Sequence, residues 1–570
     1  MPTSLTTNYE TFPTSSLKNV DNRGTEEKAT LMDHNSLPKI QSINTPGDPE
    51  NGKIPSQQFG SSLRQVSAAF VAQLGTVNTG MTFGFSAIAV PQLKAVTTAI
   101  VDSSTVLNDT NGNYVNCSII NETLYNCSMY SSAIRIDESQ SSWIASMSSI
   151  GTPIGCLLTG YLMDYLGRKR SLIITEIPAL LGWLLITFAT NIEAIYAGRF
   201  FVGLGSGMVG APARVYTSEV TQPHLRGMLT ALASVGVSTG VLIEYALGSI
   251  LHWKICAAIS ALIPLAALVL MFAFPETPSY LISRSKPDEA KKALRKFRGS
   301  NYNLDREMET LVNFSAKNNL KRLTGFGEII RALVKPNALK PFALLCLYFL
   351  IYQWSGTNAV TFYAVEIFKA SGTSINSYLA TVILGVVRLL STIAACILCR
   401  KCGRRPLTLI SSVGCGLSML GLGGYEWLRV YWKHYGIQAT WTWIPLVCMF
   451  SYTIACTLGF LVIPWVMIGE VYPVQVRGIV GGFTTMAAHS FIFMVVKTFP
   501  LLKSTITEHG TYLLYGCISF FGSIYFYICL PETKNKSLQE IEDYFSGRPS
   551  TVVTGRLFWR SRKITPAGKI

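Results

Sequence analysis

Apolar residues fall along most of this chain in blocks of about 20, each long enough to cross the hydrocarbon core of a bilayer as a helix. Twelve such runs are read, near 66–91, 141–163, 170–190, 195–218, 228–250, 254–274, 340–362, 376–399, 405–424, 443–468, 478–500 and 511–530. They split six and six around the charged segment 275–339. That segment has helical stretches of its own; PDEAKKALRKF (287–297) places acids early and bases late, as the helix dipole favours. The pattern predicts an all-α membrane protein of twelve transmembrane helices in two six-helix bundles. Their expected limits are 65–274 and 340–530, with a cytoplasmic linker 275–339 and cytoplasmic tails 1–64 and 531–570.

Composition agrees. Of 570 residues, 49% are hydrophobic and 14% charged, against about 25% charged in a soluble chain. The first 60 residues are polar and rich in Ser, Thr, Asn and Pro. They read as a disordered tail, with no cleaved signal peptide there.

A net charge of +16 raises the question of nucleic acid. The bases collect at Arg168-Lys169-Arg170, across 284–340, at Arg400-Lys401 with Arg404-Arg405, and at 556–563. With twelve spans these clusters share one face with both termini, which the positive-inside rule makes cytoplasmic. The charge therefore speaks for orientation in a bilayer, and no nucleic-acid partner is expected. The patch 556–563 is read either as a contact with anionic lipid or as a solvated tail.

The opposite face carries the loop 95–137, with sequons at Asn108, Asn116, Asn121 and Asn126. Four acceptors in one non-basic loop predict an extracellular, glycosylated segment. Asn313 and Asn535 also head sequons, but on the cytoplasmic face, and should stay bare. Of 13 cysteines only Cys117 and Cys127 lie in the outer loop, where oxidation to a disulfide is permitted. Cys399 and Cys402 have no second pair nearby and read as unrelated thiols.

Short patterns recur in the same order in both halves. Glu219 with Arg226-Gly227 is matched by Glu470 with Arg477-Gly478. Gly167-Arg168-Lys169 is matched by Gly403-Arg404-Arg405, and Pro275-Glu276-Thr277 by Pro531-Glu532-Thr533. A duplicated six-helix unit is a common plan among secondary transporters. No nucleotide-binding loop, voltage-sensor arginine ladder, catalytic triad or metal-ligand set stands out. An enzyme, an ATP-driven pump and a cofactor are therefore not expected.

The motifs GYLMDYLGRKR (160–170), GRFFVGLGSG (198–207), PETPSYL (275–281), QWSGTN (353–358), IPW (463–465) and PETK (531–534) resemble the sugar porter family of the major facilitator superfamily. The resemblance spans about 65–545. Within it, GMTFGFSAIAVPQ (80–92) and DESQSSWIASM (137–147) look most similar to insect facilitated trehalose transporters, with insect glucose carriers next. It implies the major facilitator fold, two bundles around a central cavity, and sugar movement by alternating access across the plasma membrane.

The resemblance assigns a sugar site. Gln353 and Asn358 match the family's amides in the seventh span, and Trp465 matches a ring that stacks on sugar. Tyr352 and the pair Phe362-Tyr363 stand where the family has Gln and Tyr-Tyr. Thr357 lies one helical turn from Gln353 if the helix is continuous. Amides and hydroxyls at that depth make sense against a water-filled cavity, where a polyol needs them. His489 takes a family pocket position, with Ala488 before it; Ser234 replaces a Gln, and GFLV (459–462) replaces a Gly-Pro run. The pocket is reshaped and could admit a disaccharide.

The family also implies cytoplasmic salt bridges between the halves. The matching residues are Asp164, Arg168, Arg199, Glu219, Arg226, Arg404, Glu470 and Arg477. Arg400 stands where an acid is usual, which predicts a weakened inner gate facing Arg226. Ser86 occupies the position of the acid that proton-coupled members carry, which favours facilitated diffusion. Glu244 and Arg388 are isolated charges within spans, each expensive alone, and a pairing between them is one expectation. A facilitator for trehalose is the leading reading, followed by a hexose facilitator, a proton-coupled symporter and a non-transporting sensor.

Overall fold

The computed structural model describes residues 61–106, 134, 136–299, 302–319, 326–473, 476–549 and 552. The N-terminal tail, the four outer sequons, Cys117, Cys127 and the basic patch 556–563 lie outside the described residues. Every regular element among the described residues is a helix.

The first half holds α1 (Ser62–Val106), α2 (Glu138–Leu166), α3 (Arg168–Thr187), α4 (Ile192–Val220), α5 (Pro223–Gly248) and α6 (Trp253–Met271). Four short helices follow in the linker: α7 (Pro278–Ser283), α8 (Pro287–Arg298), α9 (Leu304–Asn319) and α10 (Phe326–Val334). The seventh span is broken into α11 (Pro336–Trp354), α12 (Thr357–Phe362) and α13 (Ala364–Ala370). Then come α14 (Ser377–Lys401), α15 (Arg404–His434), and a tenth span in two pieces, α16 (Ile444–Leu458) and α17 (Ile463–Val471). Helix α18 (Arg477–Cys529) holds the last two spans, separated at Thr507, whose φ of 68° breaks the helical path. α19 (Leu538–Ser546) closes the described chain behind a Ser537–Glu540 capping box.

This is an all-α fold with twelve spans. α1 differs from expectation at its end, continuing as helix to Val106, well past the apolar run that ends near 91. α2 packs on α4, α1 on α5 and α3 on α6 in the first half; α15 and α11 pack on α18, and α14 on α16, in the second. The halves meet along α2–α18 and α5–α14.

Most spans are apolar enough to be recognised as membrane helices by length and composition alone. α1, α2, α4 and the α11–α12 pair are the more polar ones, and they carry the Ser, Thr, Gln and Asn side chains. Such groups are tolerated at membrane depth where protein or water, rather than lipid, surrounds them.

The linker docks by ordinary amphipathic logic. In α8, Ala290, Ala293, Leu294 and Phe297 are buried at helical spacing, and Phe297 sets its edge against Tyr216 at 6.4 Å. Arg298 then ties the linker to α4, donating to the Val220 carbonyl at 2.7 Å and pairing with Glu307 at 2.7 Å.

Candidate functional site

The seventh span breaks at Ser355–Gly356. Gly356 has φ of 98°, and a Cβ there would lie 2.7 Å from the Tyr515 ring, so only glycine fits this turn. The expected one-turn pairing of Gln353 with Thr357 therefore does not form. Instead Asn358 Nδ2 donates to Gln353 Oε1 across the break at 2.5 Å. Gln353 and Asn358 are both buried, and among the described residues Gln353 Nε2 has no hydrogen-bond partner. A buried amide donor without an acceptor is costly.

Thr357 turns the other way. Its hydroxyl lies 3.2 Å from Tyr452 Oη and 3.1 Å from Cys456 Sγ, and Tyr452 donates to the Ser355 carbonyl at 3.1 Å. A cavity of about 20 Å³ beside the break is lined by Thr357, Thr361, Arg388, Tyr452 and Thr457 among others, room for about one water. Tyr352 is buried with its ring edge-on to Phe349 and Phe460.

The remaining expected sugar residues fall into two places. Trp465 and His489 meet at 5.7 Å between ring centres, and Phe349 links Trp465 back to the helix carrying Gln353. His489 Nδ1 lies 2.8 Å from the Thr485 carbonyl, which makes Nδ1–H the donor and leaves Nε2 an acceptor. Phe362 ends α12 and Tyr363 follows it. Phe362 packs on Phe83 of α1 at 5.5 Å, and Tyr363 donates to the Val496 carbonyl.

The end of the seam expected to face outward is bridged by several contacts. Besides Phe83–Phe362, Lys94 of α1 pairs with Glu366 of α13 at 3.1 Å and with Glu138 at 3.1 Å. Tyr245 donates to the Thr361 carbonyl at 2.7 Å. Lys497 donates to Ser142 at 2.7 Å and covers the Trp143 ring at 3.9 Å. Each of these contacts joins the first half to the second, save Lys94–Glu138. Apart from Phe362, none of these residues was singled out from the sequence, because the partners lie far apart along the chain.

The charges expected at the cytoplasmic face depart from the expected pairing. Arg168 pairs with Glu219 at 3.1 Å and Arg404 with Glu470 at 2.6 Å, each bridge lying within one half rather than between the halves. Arg477 donates to the Tyr472 carbonyl, not to Glu470. The Asp164 carbonyl accepts from Arg284 at 2.7 Å.

The repeated motifs nest alike in both halves. The Glu276 carboxylate takes the backbone N–H of Arg168, Lys169 and Thr277, and Glu532 takes those of Arg404 and Arg405. A Cβ at Gly167 or Gly403 would stand 2.4 or 2.2 Å from those carboxylate oxygens. Burial raises the Glu276 carboxyl above its ordinary value, and the three N–H donors pull it back. Arg400 reaches across to α5, where a Cβ on Gly227 would be 3.3 Å from its Nη2. It thus lies beside the Arg226–Gly227 turn, and the nearby Glu219 is held by Arg168.

Arg199 does not belong to this layer. It sits two turns into α4 from the opposite end, about 30 Å along the helix from Glu219 at 1.5 Å per residue. Fully buried, it donates to Ser86 Oγ at 2.6 Å, Ser148 Oγ at 3.0 Å and the carbonyls of Thr82 and Ile144. Being charged was not enough to place it; its depth in the span was the signal. Glu244 accepts from Ser260 at 2.9 Å and Arg388 donates to Thr361 at 2.7 Å, so these two charges are not a pair. A further arginine, Arg214 of α4, was not singled out from the sequence, and it lies over the Trp465 ring.

The family described as "Sugar (and other) transporter" matches residues 68–545. The chain is 35% identical to "Facilitated trehalose transporter Tret1" of Bombyx mori over 71% of this chain and 79% of that protein. It is likewise 35% identical to the protein of that name from Apis mellifera ligustica, over 71% and 79%. Among solved structures, a partially occluded inward-open form of the Escherichia coli xylose transporter XylE superposes with a TM-score of 0.63 at 22% identity, covering 84% of this chain and all of that one. A XylE structure described as a major facilitator superfamily proton:xylose symporter aligns equally well, over 85% and 99%. A duplicated twelve-span fold with a broken seventh helix, matched over most of its length, makes this chain a member of the sugar transporter family, with the major facilitator fold and a transporter's rather than an enzyme's role.

Proposed function

We propose that this protein is a facilitative transporter that carries trehalose across the plasma membrane by alternating access, both termini cytoplasmic. The observation that carries the site is the orphaned Gln353 Nε2 at the break of the seventh span. A sugar hydroxyl is the acceptor it needs, and Asn358, held against it, has further hydrogen-bonding capacity. Trp465 offers a ring face and His489 an acceptor nitrogen nearby. Trehalose is favoured over a hexose by the names of the insect relatives and by the small side chains at Ser234 and Ala488. Ser86, a hydroxyl where coupled members have an acid, supports diffusion without a proton.

A proton-coupled reading has one observation in its favour: Glu244 is fully buried, with Oε1 unpartnered among the described residues. Uptake of labelled trehalose and glucose into oocytes, at two external pH values and with an uncoupler, separates the readings. Saturable trehalose uptake that ignores the uncoupler supports the facilitator. Collapse with the uncoupler makes it a symporter, glucose uptake alone changes the substrate, and no uptake from a surface-expressed protein removes the proposal.

A further inference from the structure

Arg214 and Trp465 occupy equivalent places in the two repeats. Each stands five residues before the glutamate of its cytoplasmic ion pair, Glu219 in α4 and Glu470 in α17. The structure brings these two positions together across the seam between the halves, the Arg214 guanidinium 5.6 Å from the centre of the Trp465 ring. Arg214 is half-buried, and among the described residues it has no carboxylate or hydrogen-bond partner. The same spot joins the halves a second time: Cys156 Sγ of α2 lies 4.0 Å from His489 Nδ1 of α18.

The cluster lies about 7.5 Å inside the cytoplasmic ion pairs, five residues at 1.5 Å each. It is therefore on the way from the Gln353 amide to the cytoplasm. An unpaired guanidinium beside an indole is held by the ring's quadrupole, more strongly where water is scarce. The C–H face of a pyranose stacks on the same kind of surface, so arginine and sugar compete for the Trp465 ring.

We propose that Arg214 is the inner gate and a specificity residue: resting on Trp465 it closes the cytoplasmic exit, and an arriving sugar displaces it. The displaced guanidinium, which only donates, then turns to sugar hydroxyls, while His489 Nε2 accepts from them. Occupancy of the site itself loosens the contact that bars the exit. This rests on the reading of Trp465 as the sugar-stacking ring.

The test uses the full-length protein in lipid nanodiscs, with the rate of N-ethylmaleimide attachment to Cys156 followed by peptide mass spectrometry. Arg214→Ala should raise that rate about fivefold to thirtyfold, the span a contact of this kind sustains. Trp465→Ala should do the same, and the double variant should exceed neither single one, since both remove one contact. Arg214→Lys, which keeps the charge but not the planar stack, should fall between and guards against loss of fold. A rate within about twofold of wild type in both Arg214 variants, or additive effects in the double variant, overturns the gate. In transport, Arg214→Ala should shift the KM for trehalose by about threefold or more, because both the competitor for the ring and a donor to the sugar are gone; an unchanged KM overturns the specificity role. The labelling arm needs no transported sugar, so a wrong substrate and a wrong gate give different results.

Discussion

Glu366→Gln should open the outer side. Lys94 and Glu366 are the one ion pair among the described residues that spans the two halves outside, at 3.1 Å, with side chains 27% and 20% exposed. At 3.1 Å and an effective dielectric of about 20, the gross attraction is roughly 5 kcal/mol. Desolvation and side-chain ordering remove most of it, and Lys94 keeps a second partner in Glu138. A net contribution of about 1–2 kcal/mol remains, which shifts the balance toward the outward-open state about 5–30-fold. The glutamine keeps the shape and removes the charge. Glu138→Gln is the control, because that carboxylate belongs to the same half as Lys94. Spin labels at Ser139→Cys and Ser374→Cys, in a Cys517→Ser background, read the distance between the outer ends by pulsed electron resonance. Glu366→Gln should add a longer-distance population that Glu138→Gln does not. Identical distance distributions in both variants and wild type would refute the reasoning.

At the sugar site, Gln353→Leu should raise the KM for uptake about tenfold, a hydrogen bond's worth, with surface expression unchanged. Gly356→Ala should lower thermal stability in detergent by about 1–2 kcal/mol from the positive φ alone, before any clash with Tyr515; Gly424→Ala, which meets open space, should not. Arg400→Glu should attract Arg226 instead of repelling it and reduce cysteine accessibility from the cytoplasmic side. If accessibility is unchanged, the weakened inner gate is wrong. Arg199→Leu should abolish folding or surface delivery rather than alter KM, since it leaves the Ser86 and Ser148 hydroxyls and three carbonyls without their donor.

What the sequence made legible was what repeats or runs long. Twelve apolar blocks became twelve spans, and three motif pairs came to rest in two copies of one cytoplasmic arrangement. The amides at Gln353 and Asn358 stood out because they interrupt an apolar run. The break between them did not, since a glycine in a membrane helix is as often a packing residue as a turn, and only Tyr515 against Gly356 decides it. Arg199 was grouped with the cytoplasmic charges because its type was weighed before its depth. Lys94–Glu366 and Arg214–Trp465 were invisible because each pairing joins residues over two hundred positions apart. Neither partner carries a local pattern that names the other.

The placement of the two cytoplasmic ion pairs has a mechanical consequence. Arg168–Glu219 and Arg404–Glu470 each stitch together the helices of one half. A rocking motion of the halves leaves both stitches closed from start to finish. These two charge contacts thus act as stiffeners of two levers and contribute nothing to the barrier between their positions. The speed of the cycle is left to the weaker seam: rings, one lysine pair outside, and arginines that face without binding acids inside. Cutting either stitch should therefore soften one lever while leaving the seam between the halves untouched.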